Sequence, residues 1–577
     1  MPVPIIELPA SPDAFADATW ADIAPYYERL AEAPLDERGV EAWLGTWSRL
    51  EELVGEAGTL AMTAYTGNTA DPALEANYLR FSTEIFPQLD EQQVRLARRL
   101  LELGWSRPDL EQLLTQFRTD AEIFREANVA LFAELEALGA AYQKVTGGLT
   151  VEWDGERKTI PQLQPHLQSR DRAERERAFR LGAGAYLEKR DELAALFDQM
   201  YALRQQAARN AGFADFEAYV FRAKHRFDYG PEDCRRFHAA VESTVVPAVE
   251  RLFADRRRRL GLDALRPWDL AVDPEQRPAL KPFERTEEFV GRAQRIFATV
   301  DPELGAQFDV MADEGLLDLE SREGKAPGGY CTKLPFRGRP YIFMNAVGVA
   351  DDVSTLVHEA GHCFHAFLAH QQPFLWQRGT GSEAAELASM SMELLAAPHL
   401  AAPVGYYSPF DARRAQLEHL EDVLITLPHI ASVDAFQSWI YTSGSGGDAA
   451  ARDQAWLDIR ARFERGIDWS GLEAERVARW YRQLHIFEYP FSYIVYGIAQ
   501  LGALQVWRRS LADPADAVAA YKRALTVGGT RSLPEIYREA GARLIFDADG
   551  MGELVGLVEE RLTALREELA SLEPVEA

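Results

Sequence analysis

Residues 358–362 read His-Glu-Ala-Gly-His. In a helix, His358 and His362 stand one turn apart on one face, where both imidazoles can reach a single metal ion. Glu359 points off that axis but stays beside the ion, placed to take a proton from a water there. With 11 His and 90 acidic residues in 577, chance supplies roughly 0.03 His-acid-x-x-His pentads. The chemistry indicated is hydrolysis by a metal-activated water. A catalytic zinc needs a third protein ligand and an open position. The His-Glu-x-x-His-x-x-Gly-x-x-His arrangement is excluded, because His365 and Leu368 occupy its Gly and last His positions.

The third ligand is sought in Gly-Ser-Glu-Ala-Ala-Glu-Leu-Ala-Ser-Met-Ser-Met-Glu, residues 381–393, a second segment of helical character. Glu383, Glu386 and Glu393 are the candidates, and their i/i+3 and i/i+7 separations put much of the set along one side. Three glutamates in an otherwise Ala- and Met-rich helix fit poorly with a purely solvated role. His365 extends the histidine stripe, but a helical turn rises about 5.4 Å and Zn–N bonds are about 2.0–2.1 Å, so it is expected to pack or to support a ligand. Cys363 adjoins His362 but points about 100° away around the helix, and is expected to pack.

A further cluster near the C-terminus comprises His485, Tyr489, Tyr493 and Tyr496. Amide hydrolysis passes through a tetrahedral oxyanion, which phenol or imidazole donors beside the metal can stabilise. Pro490 suits the first turn of a helix, on which Tyr493 and Tyr496 would share a face.

These groups need elements to hold them. Asp351 and Asp352 precede Ser354 and Thr355, a helix start with acidic side chains at the positive end of the dipole. Val353, Leu356, Val357, Phe364 and Phe367 flank the histidine stripe at helical spacing. Gly361, costly in mid-helix by about 1 kcal/mol relative to Ala, leaves room for another backbone near the metal. Residues 19–62, 72–145 and 166–224 also read as helices broken by turn signals. Strands are few: Leu149–Trp153 and Lys158–Ile160 flank the hairpin signal Asp154-Gly155. A second hairpin, Tyr330–Leu334 with Tyr341–Asn345, directly precedes the histidine helix. Its exposed edge would align a peptide by backbone hydrogen bonds, with Gly328 and Gly329 permitting close approach. The Arg-rich run 255–260 reads as a solvated helix end.

With these motifs in view, the chain resembles the thimet oligopeptidase and oligoendopeptidase F group of zinc endopeptidases. Its pattern is a His-Glu-x-x-His helix followed by Glu-x-x-Ser-x-x-x-Glu, matched here by Glu386, Ser389 and Glu393. Residues 148–155, 325–331, 340–345 and 528–535 look like the oligoendopeptidase F branch. The resemblance selects Glu386 as third ligand of one Zn²⁺ ion, with Glu393 supporting. It also implies that a His and tyrosines of the C-terminal segment line the site opposite the metal. The tyrosine spacing matches the thimet branch, with His485 displaced by one position; His485 and Tyr496 are taken as the oxyanion donors. The implied fold is mainly α, with two helical lobes around a deep internal channel and a small β-hairpin beside the site. The division expected is 1–190 for the N-terminal lobe and 191–577 for the catalytic domain.

Composition is that of a globular enzyme: 47% hydrophobic and 26% charged residues. The net charge of −28 argues against nucleic acid or an anionic membrane as partner. Cys234, Cys331 and Cys363 form no paired spacing, the first Lys or Arg is Arg29, and no apolar run reaches spanning length. A cytoplasmic monomer or homodimer acting on oligopeptides is expected. Two alternatives stand beside it: a zinc carboxypeptidase on a related helical scaffold, and an inactive zinc-stabilised peptide-binding protein.

Overall fold

Long Ala-, Leu- and Glu-rich runs with apolar residues at helical spacing form helices along most of residues 5–572, the part of the chain that the computed structural model describes. Near the N-terminus, the helices Trp20–Glu32, Val40–Gly67, Phe86–Glu102 and Glu111–Ile123 enclose their own core around Trp43, Trp47, Phe81 and Phe117. Phe374 belongs to this core, and Trp376 meets Trp47 edge-to-face at 4.4 Å. The N-terminal helices therefore grip the loop that leads into the glutamate segment. The remaining helices share a larger core, to which Leu356, Val357, Phe364 and Leu387 belong.

The first hairpin forms as the turn signal requires: β1 (Thr150–Trp153) pairs antiparallel with β2 (Glu156–Thr159). Asp154 and Gly155 both have positive φ, 53° and 84°, which suits a two-residue turn that follows the strand twist. The second hairpin belongs to a three-stranded sheet ordered β3-β5-β4, with β3 at Leu317–Glu320, β4 at Tyr330–Leu334 and β5 at Arg339–Ala346. β3 runs parallel to β5 and was not expected; Leu-Asp-Leu-Glu is too short to show a period. Its addition makes β5 central and leaves β4 at the edge.

The histidine helix spans Ala350–Ala369. One Asp352 carboxylate oxygen accepts the amides of Val347, Gly348 and Val349 at 2.8, 2.8 and 2.9 Å, closing the helix start. The glutamate helix, Ser382–Ala396, crosses it at Gly361. A Cβ on Gly361 would sit 2.6 Å from Ser389 Cα and 2.7 Å from the Ala388 carbonyl oxygen. The glycine lets the two backbones touch. Gly529 acts similarly, since a Cβ there would lie 2.1 Å from the carbonyl oxygen of Gly379, just before the glutamate helix.

Two expectations are corrected. Pro490 does not open a helix: the helix starts at Ile494, and buried Phe491 takes φ 59°. Its amide is held by Gln437 at 2.7 Å and its carbonyl by Arg226, so a turn wins over the proline's preference. The Arg-rich run ends the helix Val246–Arg259, but only Arg257 and Arg258 are solvated. Arg259 pairs with Glu275 at 2.7 Å, and Arg256 lies 3.8 Å from Glu421. Among the described residues, no helix is long and apolar enough to cross a membrane.

Candidate metal centre and active site

The helical spacing of the pentad brings the His358 and His362 rings to 5.0 Å between centroids, nearly perpendicular to each other. The glutamate helix delivers Glu386 to the same point, with Oε2 3.3 Å from His358 Nε2 and 3.7 Å from His362 Nε2. Ligand atoms bonded tetrahedrally at about 2.0–2.1 Å lie about 3.3–3.4 Å apart, so the His358–Glu386 pair already fits one zinc-sized ion and the His362–Glu386 pair has a few tenths of an ångström to close. Among the described residues this is the one group of three or more His, Cys, Asp or Glu whose donor atoms lie within 4.8 Å of one another.

Two of the three donors, His358 and Glu386, are held from behind. His358 Nδ1 lies 2.6 Å from Glu393 Oε1, and the other Glu393 oxygen lies 2.8 Å from His419 Nε2. The helix Pro409–Thr442 supplies His419. The buried Ser389 hydroxyl donates to Glu386 Oε2 at 2.9 Å. Burial alone would lower the His358 pKa, but hydrogen bonds to Glu386 and Glu393 push it up to about 10. Burial carries His362 the other way, to about 4. Glu393 would be raised by burial, yet its bonds to His358 and His419 hold it down to about 2. It is therefore a fixed negative charge behind the first histidine.

Glu359 lies against the edge strand, close to the Cys331 amide. Burial raises its pKa, with a further push from the Glu386 charge. That is the direction a general base working near neutrality needs.

The other glutamate candidates separate by their partners. Glu383 is buried against Arg226 at 3.3 Å and accepts the Tyr229 hydroxyl, so it is turned away from the histidines. His365 is buried, its pKa pushed down to about 3 by desolvation, and its Nε2 has no partner. Cys363 is buried facing the sheet, with its sulfur 3.4 Å from that of Cys331.

In the C-terminal cluster, His485 and Tyr496 are brought together, with ring centroids 5.8 Å apart. The Glu386 charge acts on both. Burial and that charge push the Tyr496 phenol up to about 12, which keeps its proton available for donation. Burial lowers the His485 pKa, and its Nδ1 is buried without a partner. Tyr493 belongs to the same cluster, its ring 4.8 Å from that of His485 and 5.6 Å from that of Tyr496, and it also packs 5.5 Å from His429. Tyr489 is 52% exposed, with its ring 6.2 Å from that of His485.

Sequence reasoning missed His419, a lone histidine in Gln-Leu-Glu-His-Leu-Glu-Asp, which reads as an ordinary surface face. It also missed the Cys331 amide, since backbone donors carry no residue-type signal.

Comparison with known proteins agrees with this geometry. The family model "Peptidase family M3" matches residues 166–554, more than half of the chain and every residue of the site. An oligoendopeptidase F homolog of Borreliella burgdorferi is 22% identical over 477 residues, covering 77% of this chain and 74% of that protein. Oligopeptidase PepF of Bacillus subtilis is 24% identical over 316 residues, which are 51% of this chain and 43% of that protein. The structure of PZ peptidase A with an inhibitor superposes with a TM-score of 0.86 at 26% identity, covering 95% of this chain and 98% of that one. The mainly helical fold with small sheets is that of these peptidases. The chain belongs to peptidase family M3 and is a metalloendopeptidase.

Proposed function

We propose that the protein is a zinc-dependent oligoendopeptidase that cuts internal bonds of short, unstructured peptides. The reading rests on one observation above the others: Glu386 Oε2 sits 3.3 and 3.7 Å from the two histidine Nε2 atoms, close to the separations of a tetrahedral site. His358, His362 and Glu386 would hold the ion. A bound zinc supplies Lewis acidity, which acidifies a water and polarises the scissile carbonyl.

The chain's own groups supply the rest. Glu359 takes the proton of the attacking water and passes a proton to the leaving amine. That carboxylate lies beside the Cys331 amide at the edge of the sheet, so substrate strand and base share one reference. Tyr496, protonated at neutral pH, and His485 donate hydrogen bonds to the developing oxyanion. Glu393 holds His358 in the tautomer that presents Nε2 to the metal. An enclosed channel between the N-terminal helices and the catalytic core would admit extended oligopeptides and exclude folded proteins.

The test is mass spectrometry of products from a mixed peptide library with blocked and free ends, with and without chelator. Internal cleavage of end-blocked peptides that stops with EDTA and returns with zinc is the expected result. Release of single residues from free C-termini only would instead identify a carboxypeptidase.

A further inference from the structure

A cavity of about 560 Å³ opens at the first turn of the glutamate helix, one turn before Glu386. Its wall carries Lys224, Arg226, Lys333, Arg378 and Arg531, five cations in a chain of net charge −28. Two are neutralised, Arg226 by Glu383 and Arg378 by Glu52 at 2.9 Å. Among the described residues, the other three have no carboxylate within 4.0 Å. The Lys224 ammonium donates only to the Ser492 hydroxyl, at 2.9 Å. Asp228, exposed at the rim, is the remaining acidic group of the wall. Buried Arg226 leaves one terminal nitrogen, Nη1, without a hydrogen-bond partner.

Lys224 is partly buried, while Lys333 and Arg531 are exposed at the mouth of the cavity. A partly desolvated cation without a partner is costly, and the cost is relieved when an anion enters; desolvation brings Lys224 down to about 8. The position ties the cavity to the reaction. Lys333 sits on β4, two residues beyond Cys331, beside which Glu359 lies. Two strand residues span about 7 Å, and an extended peptide beside β4 advances at the same rate.

We propose that this cavity is a subsite for a substrate carboxylate, held chiefly by Lys333 and Lys224 about two to three residues from the scissile bond. The carboxylate is either the peptide's own C-terminus or an Asp or Glu side chain. The proposal rests on the peptidase reading above and adds a substrate class to it: peptides carrying negative charge close to the cut. A carboxylate gripped by two ammonium groups at once, with Lys224 partly buried, selects more strongly than a single surface pair.

The experiment compares the zinc-loaded enzyme on matched peptides, C-terminal acid against amide, and Glu against Gln at each position near the cut. The expected result is a kcat/KM preference of about tenfold or more for the carboxylate member, carried mainly by KM and weakened by added salt. Preference for acid over amide assigns the terminal carboxylate; preference for Glu over Gln at one position assigns a side chain. In Lys333→Met and Lys224→Met the ratio falls towards one, while Lys333→Arg keeps it, with zinc content and circular dichroism confirming the fold. Equal kcat/KM for every pair in the unaltered enzyme overturns the proposal, as does a ratio that survives both Met substitutions. Fluorescence anisotropy of the same labelled peptides on zinc-loaded Glu359→Gln reads the subsite without turnover. Tighter binding of the carboxylate peptide there, with no cleavage by the unaltered enzyme, would retain the subsite and remove the peptidase reading.

Discussion

Replacing Glu393 tests the support behind the metal site in graded steps. The residue makes two charge-assisted hydrogen bonds, to His358 at 2.6 Å and His419 at 2.8 Å, and is buried with its pKa near 2. In Glu393→Gln a neutral oxygen still accepts from His358 Nδ1, so orientation survives while the charge is lost. In Glu393→Ala both go, and His419 is left buried without its partner. Removing a group that orients a metal-ligating histidine costs about 10–100-fold in metal affinity, equivalent to about 1.4–2.7 kcal/mol. The glutamine variant belongs at the lower end and the alanine variant at the upper. The assay is zinc affinity by competition with a chromogenic chelator at fixed pH, with kcat per bound zinc measured in parallel. Affinity should fall in the order Glu, Gln, Ala, with a smaller change in kcat at saturating zinc. Unchanged zinc affinity in both variants would refute the reasoning, because His358 would then be positioned without Glu393.

Glu359→Gln should keep zinc at unit stoichiometry and lose about 10²–10⁴ of kcat, the usual share of a general base; full turnover would remove that assignment. Tyr496→Phe should lower kcat by about 10²-fold with little change in KM, since the phenol acts on a charge that exists only at the transition state. Gly361→Ala puts a Cβ 2.6 Å from Ser389 Cα, a clash of about 1–3 kcal/mol against a helix-propensity gain of about 1 kcal/mol. It should lower both the melting temperature and zinc affinity. Glu464 is buried, yet pairing with Arg460, Arg479 and Arg476 holds it down to about 2 from 4.5. Its folded pKa is depressed, so its contribution is complete above pH 4.5 and lost as pH falls towards 2. Urea midpoints at pH 7 and pH 3 should therefore differ less in Glu464→Gln than in the unaltered chain.

The parts of the site that were legible beforehand depend on local geometry. His358, Glu359 and His362 are read from one helical turn, and the Gly361 contact from the cost of a mid-helix glycine. The first hairpin followed from Asp154-Gly155, whose positive φ angles only a few residues accept readily. Glu383, Glu386 and Glu393 were equivalent on spacing; family resemblance chose Glu386. In the fold, Glu383 is taken by Arg226 and Tyr229, while Glu393 lies between His358 and His419. Those partners come from segments far apart in sequence, so no local pattern reveals them. The same limit hid His419, β3 and the unpaired lysines around the cavity. Pro490 misled because its preference for a first helical turn is small beside the buried bonds that hold Phe491 in a left-handed turn.

Zinc-edge anomalous diffraction from crystals grown with zinc tests the metal centre most directly. One peak per chain is predicted, about 2.0–2.2 Å from His358 Nε2, His362 Nε2 and Glu386 Oε2, with one further position open to solvent. A peak elsewhere in the chain, or a Glu386 oxygen more than about 3 Å from an ion held by the two histidines, would contradict the proposed ligand set.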